Sequence, residues 1–310
     1  MLFLDNNNKI NTEFLWIYLV KVHKINYNNR AMNIIDGNPG KVRCHMQQLK
    51  GKQSKNIMLT LMYDGTSFHG WQRLNMATDG KENIQGLLER ILSDITGQDI
   101  QVIGSGRTDA GVHALQQVCN FYTSSELGAK EIQQQLNHRL PEELRILNAT
   151  QTKDNFHSRY DAVSKVYEYR IDVRERERVF SRKYAYPAYQ NLNIEHMQQA
   201  ANYLVGTHDF KAFSTDRKDG KPTIRTIHKI RIYRVTDQRN LNEVRIECTG
   251  DGFLHHMVRI IAGTLLEVGT GQRLIESVLE ALHSKERRNA GILLSPQGLF
   301  LSKVNYEKSS

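Results

Sequence analysis

Cysteine is scarce in this chain: Cys44, Cys119 and Cys248 are the only three in 310 residues. They are odd in number, far apart, and form no C-x-x-C pair. That argues against a disulfide framework or a structural zinc site and fits a reducing, cytoplasmic setting. Long hydrophobic runs are missing as well. The longest early one, Phe14 to Val20, is far too short to span a bilayer, and it lacks the basic flank and small-residue cleavage site of a signal peptide. Neither G-x-x-x-x-G-K-[ST] nor G-x-G-x-x-G occurs, so a nucleotide cofactor has no obvious cradle. Acidic residues are outnumbered, 33 Asp and Glu against 42 Lys and Arg, for a net charge of +9. A surplus of this size favours a polyanionic partner, of which nucleic acid is the commonest, with plain solubilising charge as the alternative.

With 39% apolar and 24% charged residues, the chain reads as a soluble globular protein, long enough for two domains or one large one. Residues 1–54 stand apart. Asparagine is dense there, apolar periodicity is weak, and basic residues outnumber acidic ones. This predicts a disordered or loosely helical basic extension, dispensable to the fold. Beyond it, alternation predicts a strand from Ile57 to Tyr63, and Ile84, Leu87, Leu88, Ile91, Leu92 and Ile95 recur at helical spacing until Gly97. Short strands follow over 100–103 and 118–122, then a helix over 127–140 stopped by Pro141 and a strand over 146–151. The second half predicts a long strand over 163–173, a solvated connection at Arg174 to Arg178, and a helix over 194–205. A charged loop follows at Arg217 to Lys221, then a hairpin of 230–235 with 244–248, helices over 255–268 and 273–283, and a closing strand over 299–304. Hairpins mixed with helices indicate an α+β fold, a mainly antiparallel mixed sheet with helices on one face. The expected division is 55–160 and 161–310, two halves alike in element order and flanking a basic cleft.

Chemistry concentrates in Gly104-Ser105-Gly106-Arg107-Thr108-Asp109-Ala110-Gly111-Val112-His113-Ala114. Its glycines let a large substrate approach the backbone, and it carries one carboxylate, Asp109, and one guanidinium, Arg107. A polar turn in which Asp109 caps a backbone amide is the competing reading. Asp109 is already ionised at neutral pH and can act as a nucleophile if held in place. Arg259 is a candidate partner for it, and Tyr167 offers a flat face for a base, such stacking being worth roughly 1–3 kcal/mol. His255 and His256, if both are helical, point to different sides and make a poor metal site.

Further segments join this one in order: Tyr63-Asp64-Gly65-Thr66-Ser67-Phe68-His69-Gly70-Trp71-Gln72, Ile84-Gln85-Gly86, Phe156-His157-Ser158-Arg159-Tyr160, Lys165-Val166-Tyr167-Glu168-Tyr169-Arg170-Ile171, Gly206-Thr207-His208-Asp209-Phe210, Phe253-Leu254-His255-His256-Met257-Val258-Arg259 and Gly298-Leu299-Phe300-Leu301. Together they resemble the bacterial TruA family of tRNA pseudouridine synthases, over about Asn56 to Tyr306. The resemblance implies an isomerase that converts uridine to pseudouridine in the anticodon stem-loop of tRNA, at positions 38, 39 and 40, without metal or cofactor. It implies Asp109 as nucleophile, attacking base or ribose, and Arg107 helping to hold the place of the flipped nucleotide. It further implies Tyr167 stacking on the target base, Arg259 pairing with Asp109, and Leu299 as an apolar contact to the base. It also implies a cytoplasmic homodimer with tRNA as partner and no membrane. A catalytically silent tRNA-binding or RNA-folding protein on the same scaffold, or a small-molecule hydrolase using Asp109, are the alternatives.

Overall fold

A computed structural model describes residues 54–73, 82–174, 179, 181–188, 191–215, 222–236 and 242–307. All but the last residue of the expected extension, most of the Arg174 to Arg178 connection and the Arg217 to Lys221 loop lie outside the described residues.

The first strand, β1 (Lys55–Tyr63), follows its alternation: Ile57, Leu59 and Leu61 are fully buried, while Met62 is exposed. Helix α1 (Ile84–Thr96) presents Ile84, Leu87, Leu88, Ile91 and Leu92 to the core. Each such side chain contributes about 1.5–3 kcal/mol on full burial. Asn83 caps its first turn by accepting from the Gly86 N–H at 2.8 Å, and Gly97 ends it in the left-handed region, where glycine avoids a Cβ clash. Strand β2 is only Ile103–Gly104, shorter than the apolar run suggests. Strand β3 (His113–Thr123) is longer, reaching back into the glycine-framed stretch. Local hydrophobicity hides this extension because His113 and Gln117 are buried polar residues whose hydrogen-bond partners lie outside the strand.

Helix α2 (Ala129–Arg139) and strand β4 (Leu144–Thr152) complete the first half. Then come β5 (Ala162–Asp172), the short β6 (Tyr186–Pro187), α3 (Ile194–Asn202), β7 (Gly206–Asp209), and the hairpin β8 (Ile224–Thr236) with β9 (Asn242–Gly250). Helix α4 (Met257–Gly269) is buried all round except Glu267, as a helix in the middle of a core must be. It starts two residues later than the periodicity predicts, because His256 sits at φ 63°, outside the helical region. Helix α5 (Ser277–Ser284) and strand β10 (Leu299–Tyr306) close the chain.

Among the described residues the strands form one sheet in the order β4-β1-β3-β10-β5-β9-β8-β7, with β2 beside β3 and β6 beside β5. The pairings are antiparallel except β10 with β3 and β5 with β6. The fold is α+β with a mixed, mostly antiparallel sheet. The last strand therefore lies between β3 and β5. Phe300 and Leu301 stand opposite His113 and Ala114 on one side. On the other, Leu299 and Leu301 stand opposite Tyr169 and Tyr167.

Candidate active site

The stretch around Asp109 is pinned from several directions. Ser105 N–H donates to Val118 O at 2.8 Å, and Gln117 Nε2 donates to Gly106 O at 2.9 Å. The Tyr63 and Thr108 hydroxyls are 2.8 Å apart, and Trp71 N–H donates to Thr108 O at 3.0 Å. Gly70 makes this last approach possible. A methyl group there would lie 2.4 Å from Thr108 O, and its φ is +80°. The turn closes as Val112 N–H donates to Asp109 O at 3.2 Å, and the strand that follows is anchored through His113. That ring accepts from Gly65 N–H at Nδ1 (3.0 Å), so Nε2 carries the proton and donates to Lys183 O (3.0 Å).

The second half delivers the partner. Arg259 projects from the first turn of α4, and its Nη1 donates to Asp109 Oδ2 at 3.1 Å while Nε donates to Leu294 O at 2.7 Å. The guanidinium is thus held at both ends, one on backbone and one on the carboxylate, which fixes the carboxylate's orientation. Tyr167, on β5, is buried and packs edge-on against Phe253 with ring centroids 5.1 Å apart. Burial raises its hydroxyl pKa far above the ordinary value, and Tyr63 and Asp109 add to the rise, so the phenol stays neutral. Leu299 is buried at the start of β10, one residue before the Phe300–His113 pairing. Arg107 is exposed and has no ion pair with Asp109.

His255 and His256 depart from the sequence expectation. They do not diverge across a helix but stack before one, ring centroids 3.7 Å apart, with Nε2 atoms 3.6 and 3.4 Å from the Asp109 oxygens. The positive φ at His256 turns the chain back on itself, so the angular offset between successive helical residues does not apply. Thr215 Oγ1 lies 3.1 Å from His255 Nδ1 and 2.7 Å from His256 Nδ1. A hydroxyl has one proton to give, so at most one of these nitrogens accepts from it. Burial lowers the His256 pKa below its ordinary value. Asp109 pulls it upward, and His255, Arg259 and Arg287 lower it further. Asp109, His255 and His256 each bring a ligand atom within 4.8 Å of the others, a carboxylate–imidazole set of the kind zinc uses. The Arg259 charge on the same carboxylate opposes a cation there. Sequence reasoning missed this convergence and had no signal for Thr215, forty residues away from His255.

A glycine-framed carboxylate, a doubly anchored arginine and a buried tyrosine therefore meet near the place where β10 pairs with β3 and β5. The description "tRNA pseudouridine synthase" belongs to the family model that matches residues 60–161 and 200–307. The chain belongs to that family. Its members are isomerases that make pseudouridine in tRNA. Among relatives, "tRNA pseudouridine synthase A" of Bacillus sp. (strain KSM-64) is 43% identical over 251 residues, 81% of this chain and 99% of its own length. The protein of that name from Thermoanaerobacter sp. (strain X514) is 41% identical over 252 residues, 81% of this chain and all of its own. A "tRNA pseudouridine synthase A 2" of Bacillus anthracis is 39% identical over 251 residues, with 81% and 99% coverage. In this pseudouridine synthase the matched segments carry Arg107, Asp109, Arg259 and Leu299, while Tyr167 falls between them. No described helix is long and apolar enough to cross a membrane.

Proposed function

We propose that this synthase isomerises uridines on the 3′ side of the anticodon stem-loop of tRNA, with Asp109 as nucleophile, acting as a cytoplasmic homodimer. The observation that carries the reading is the Asp109 carboxylate held at 3.1 Å by Arg259 beside the buried Tyr167. A base inside a stem cannot be reached, so the target nucleotide must leave the stack and find a flat partner and a pocket. Tyr167 supplies the flat face and Leu299 an apolar one. Arg107, exposed next to Asp109 in the same loop, is placed to contact the displaced nucleotide or the space it leaves. Asp109 adds to the nucleoside as the C1′–N1 bond breaks. The uracil turns, C1′ joins C5 as the carboxylate is released, the C5 proton passes to solvent and N1 takes up a proton. The stem itself is held through phosphates and shape, which suits the net charge of +9. In the proposed division at residue 160, one half supplies Asp109 and the other Tyr167 and Arg259.

Tritium release from tRNA labelled at uridine C5 tests the chemistry, because the label leaves only when C5 becomes the attachment point. Wild type should release it, and Asp109→Asn should release none while binding tRNA within a few-fold. Near-normal turnover by that variant would remove Asp109 from its role. Primer extension after carbodiimide modification should place the products on the 3′ side of the anticodon stem-loop, and light scattering should give twice the chain mass.

A further inference from the structure

Beside the carboxylate lies a second cluster, of which the chemistry above gives a role to Arg107 alone. Lys165 on β5 runs its stem across Gly106. A methyl group in place of the Gly106 hydrogen would sit 3.3 Å from Lys165 Cε and 3.7 Å from the Tyr167 hydroxyl. The lysine therefore shares the Tyr167 side of the catalytic loop. Arg159 is brought to the same place by its neighbour. Ser158 Oγ donates to Ile103 O at 2.5 Å, Ser158 N–H donates to Asn120 Oδ1 at 2.9 Å, and Tyr306 Oη donates to Ser158 O at 2.6 Å. These bonds clamp the 157–160 turn against β2, directly before the loop that carries Arg107.

Among the described residues, Arg107, Arg159 and Lys165 have no side-chain hydrogen bond and no ion pair. The acid in range of Lys165, Asp251, spends one oxygen on the Thr226 N–H at 3.1 Å. Burial first, and Arg159 second, lower the pKa of both Lys165 and Arg107. Converging cations whose charge Asp251 offsets only in part repel one another, and a half-buried lysine adds a desolvation cost. An external anion relieves both.

We infer that Arg107, Arg159 and Lys165 form a cradle for the RNA phosphodiester next to the target nucleotide. This rests on the tRNA reading above and adds to it a site for one backbone phosphate. The guanidiniums supply planar forks and the ammonium a point charge, the usual equipment for phosphate oxygens. Lys165 contacts the same loop as the Tyr167 hydroxyl, so the held phosphate sets where the displaced base meets the ring. The cradle thus positions the substrate and takes no part in bond making.

The test uses the full chain with an anticodon stem-loop RNA, comparing wild type, Lys165→Met and Arg159→Gln. Each variant should weaken binding roughly tenfold and reduce the slope of log affinity against log salt by about 1, as loss of a phosphate contact does. A neutral methylphosphonate at the phosphate flanking the target uridine should weaken wild type and leave Lys165→Met without further loss. The unliganded Lys165→Met protein should melt no lower than wild type, since one repelling charge is gone. An unchanged salt slope, equal penalties from the methylphosphonate in both proteins, or a lower melting temperature would each overturn the cradle. Wild type that releases tritium alongside variants of unchanged slope would sink the cradle alone. Full-slope binding by wild type without tritium release would instead sink the isomerase reading and leave the cradle standing.

Discussion

Replacing Arg259 by glutamine removes a charge that touches both Asp109 and the backbone of Leu294. Arg259 keeps 10% of its side chain exposed and Asp109 27%, so the pair sits between surface and interior. At an effective dielectric of about 20, opposite charges about 4 Å apart attract by about 4 kcal/mol. Desolvation of the arginine and the partial exposure of Asp109 offset much of this, leaving a net coupling of about 1–2 kcal/mol. Arg259→Gln also strips the Leu294 carbonyl of its donor, at about 1–3 kcal/mol. The single variant should therefore lose about 2–5 kcal/mol, a fall in Tm of roughly 4–20 °C for a protein of this size. Urea unfolding of wild type, Arg259→Gln, Asp109→Asn and the double variant isolates the pairwise part. Tritium release should fall in kcat by about 30- to 150-fold for Arg259→Gln, the equivalent of roughly 2–3 kcal/mol, with KM little changed because the arginine contacts Asp109, the proposed nucleophile. A coupling below about 0.5 kcal/mol, or a loss confined to KM, would refute the idea that Arg259 acts through Asp109.

Acid should weaken the fold through His113. Burial lowers its pKa despite the upward pull of Asp64, so below about 6.5 the unfolded chain takes up a proton that the folded chain refuses. The stability this group contributes is complete above that pH and declines as the pH falls toward the folded value. Urea unfolding between pH 7.5 and 5 should show a steeper decline for wild type than for His113→Asn, and equal slopes would refute the account. Gly263→Ala should lower Tm despite alanine's better helix propensity. Its methyl group would fall 1.9 Å from the Ile292 carbonyl oxygen, and such overpacking costs about 1–3 kcal/mol. Because Ile292 leads to Leu294, whose carbonyl anchors Arg259, turnover should fall with it, and a variant melting above wild type would contradict the packing.

The local signals read well where local physics decides. The alternation of Ile57, Leu59 and Leu61, the helical spacing from Ile84 to Ile95 and the Gly97 stop all correspond to what formed, because the first two report a face that must be buried and the third a left-handed backbone that glycine adopts freely. The segments carrying Asp109 and Arg259 were legible as motifs for the same reason, each being contiguous. What sequence by itself determined was therefore the inventory: α+β elements, a basic chain, and the residue types able to attack, pair and stack. Only the tertiary structure decided their arrangement. The closing strand inserts between β3 and β5, pairing Phe300 with His113 far back along the chain. No local pattern encodes that pairing, and it sets Tyr167 and Leu299 beside the loop that carries Asp109. The positive φ at His256 turned two histidines toward Asp109 that helical geometry would have separated. The meeting of Arg107, Arg159 and Lys165 likewise depends on Ser158 bonding to Ile103 and Asn120. Charge can be counted along a chain, but where like charges are forced together is settled by the long-range hydrogen bonds that hold them there.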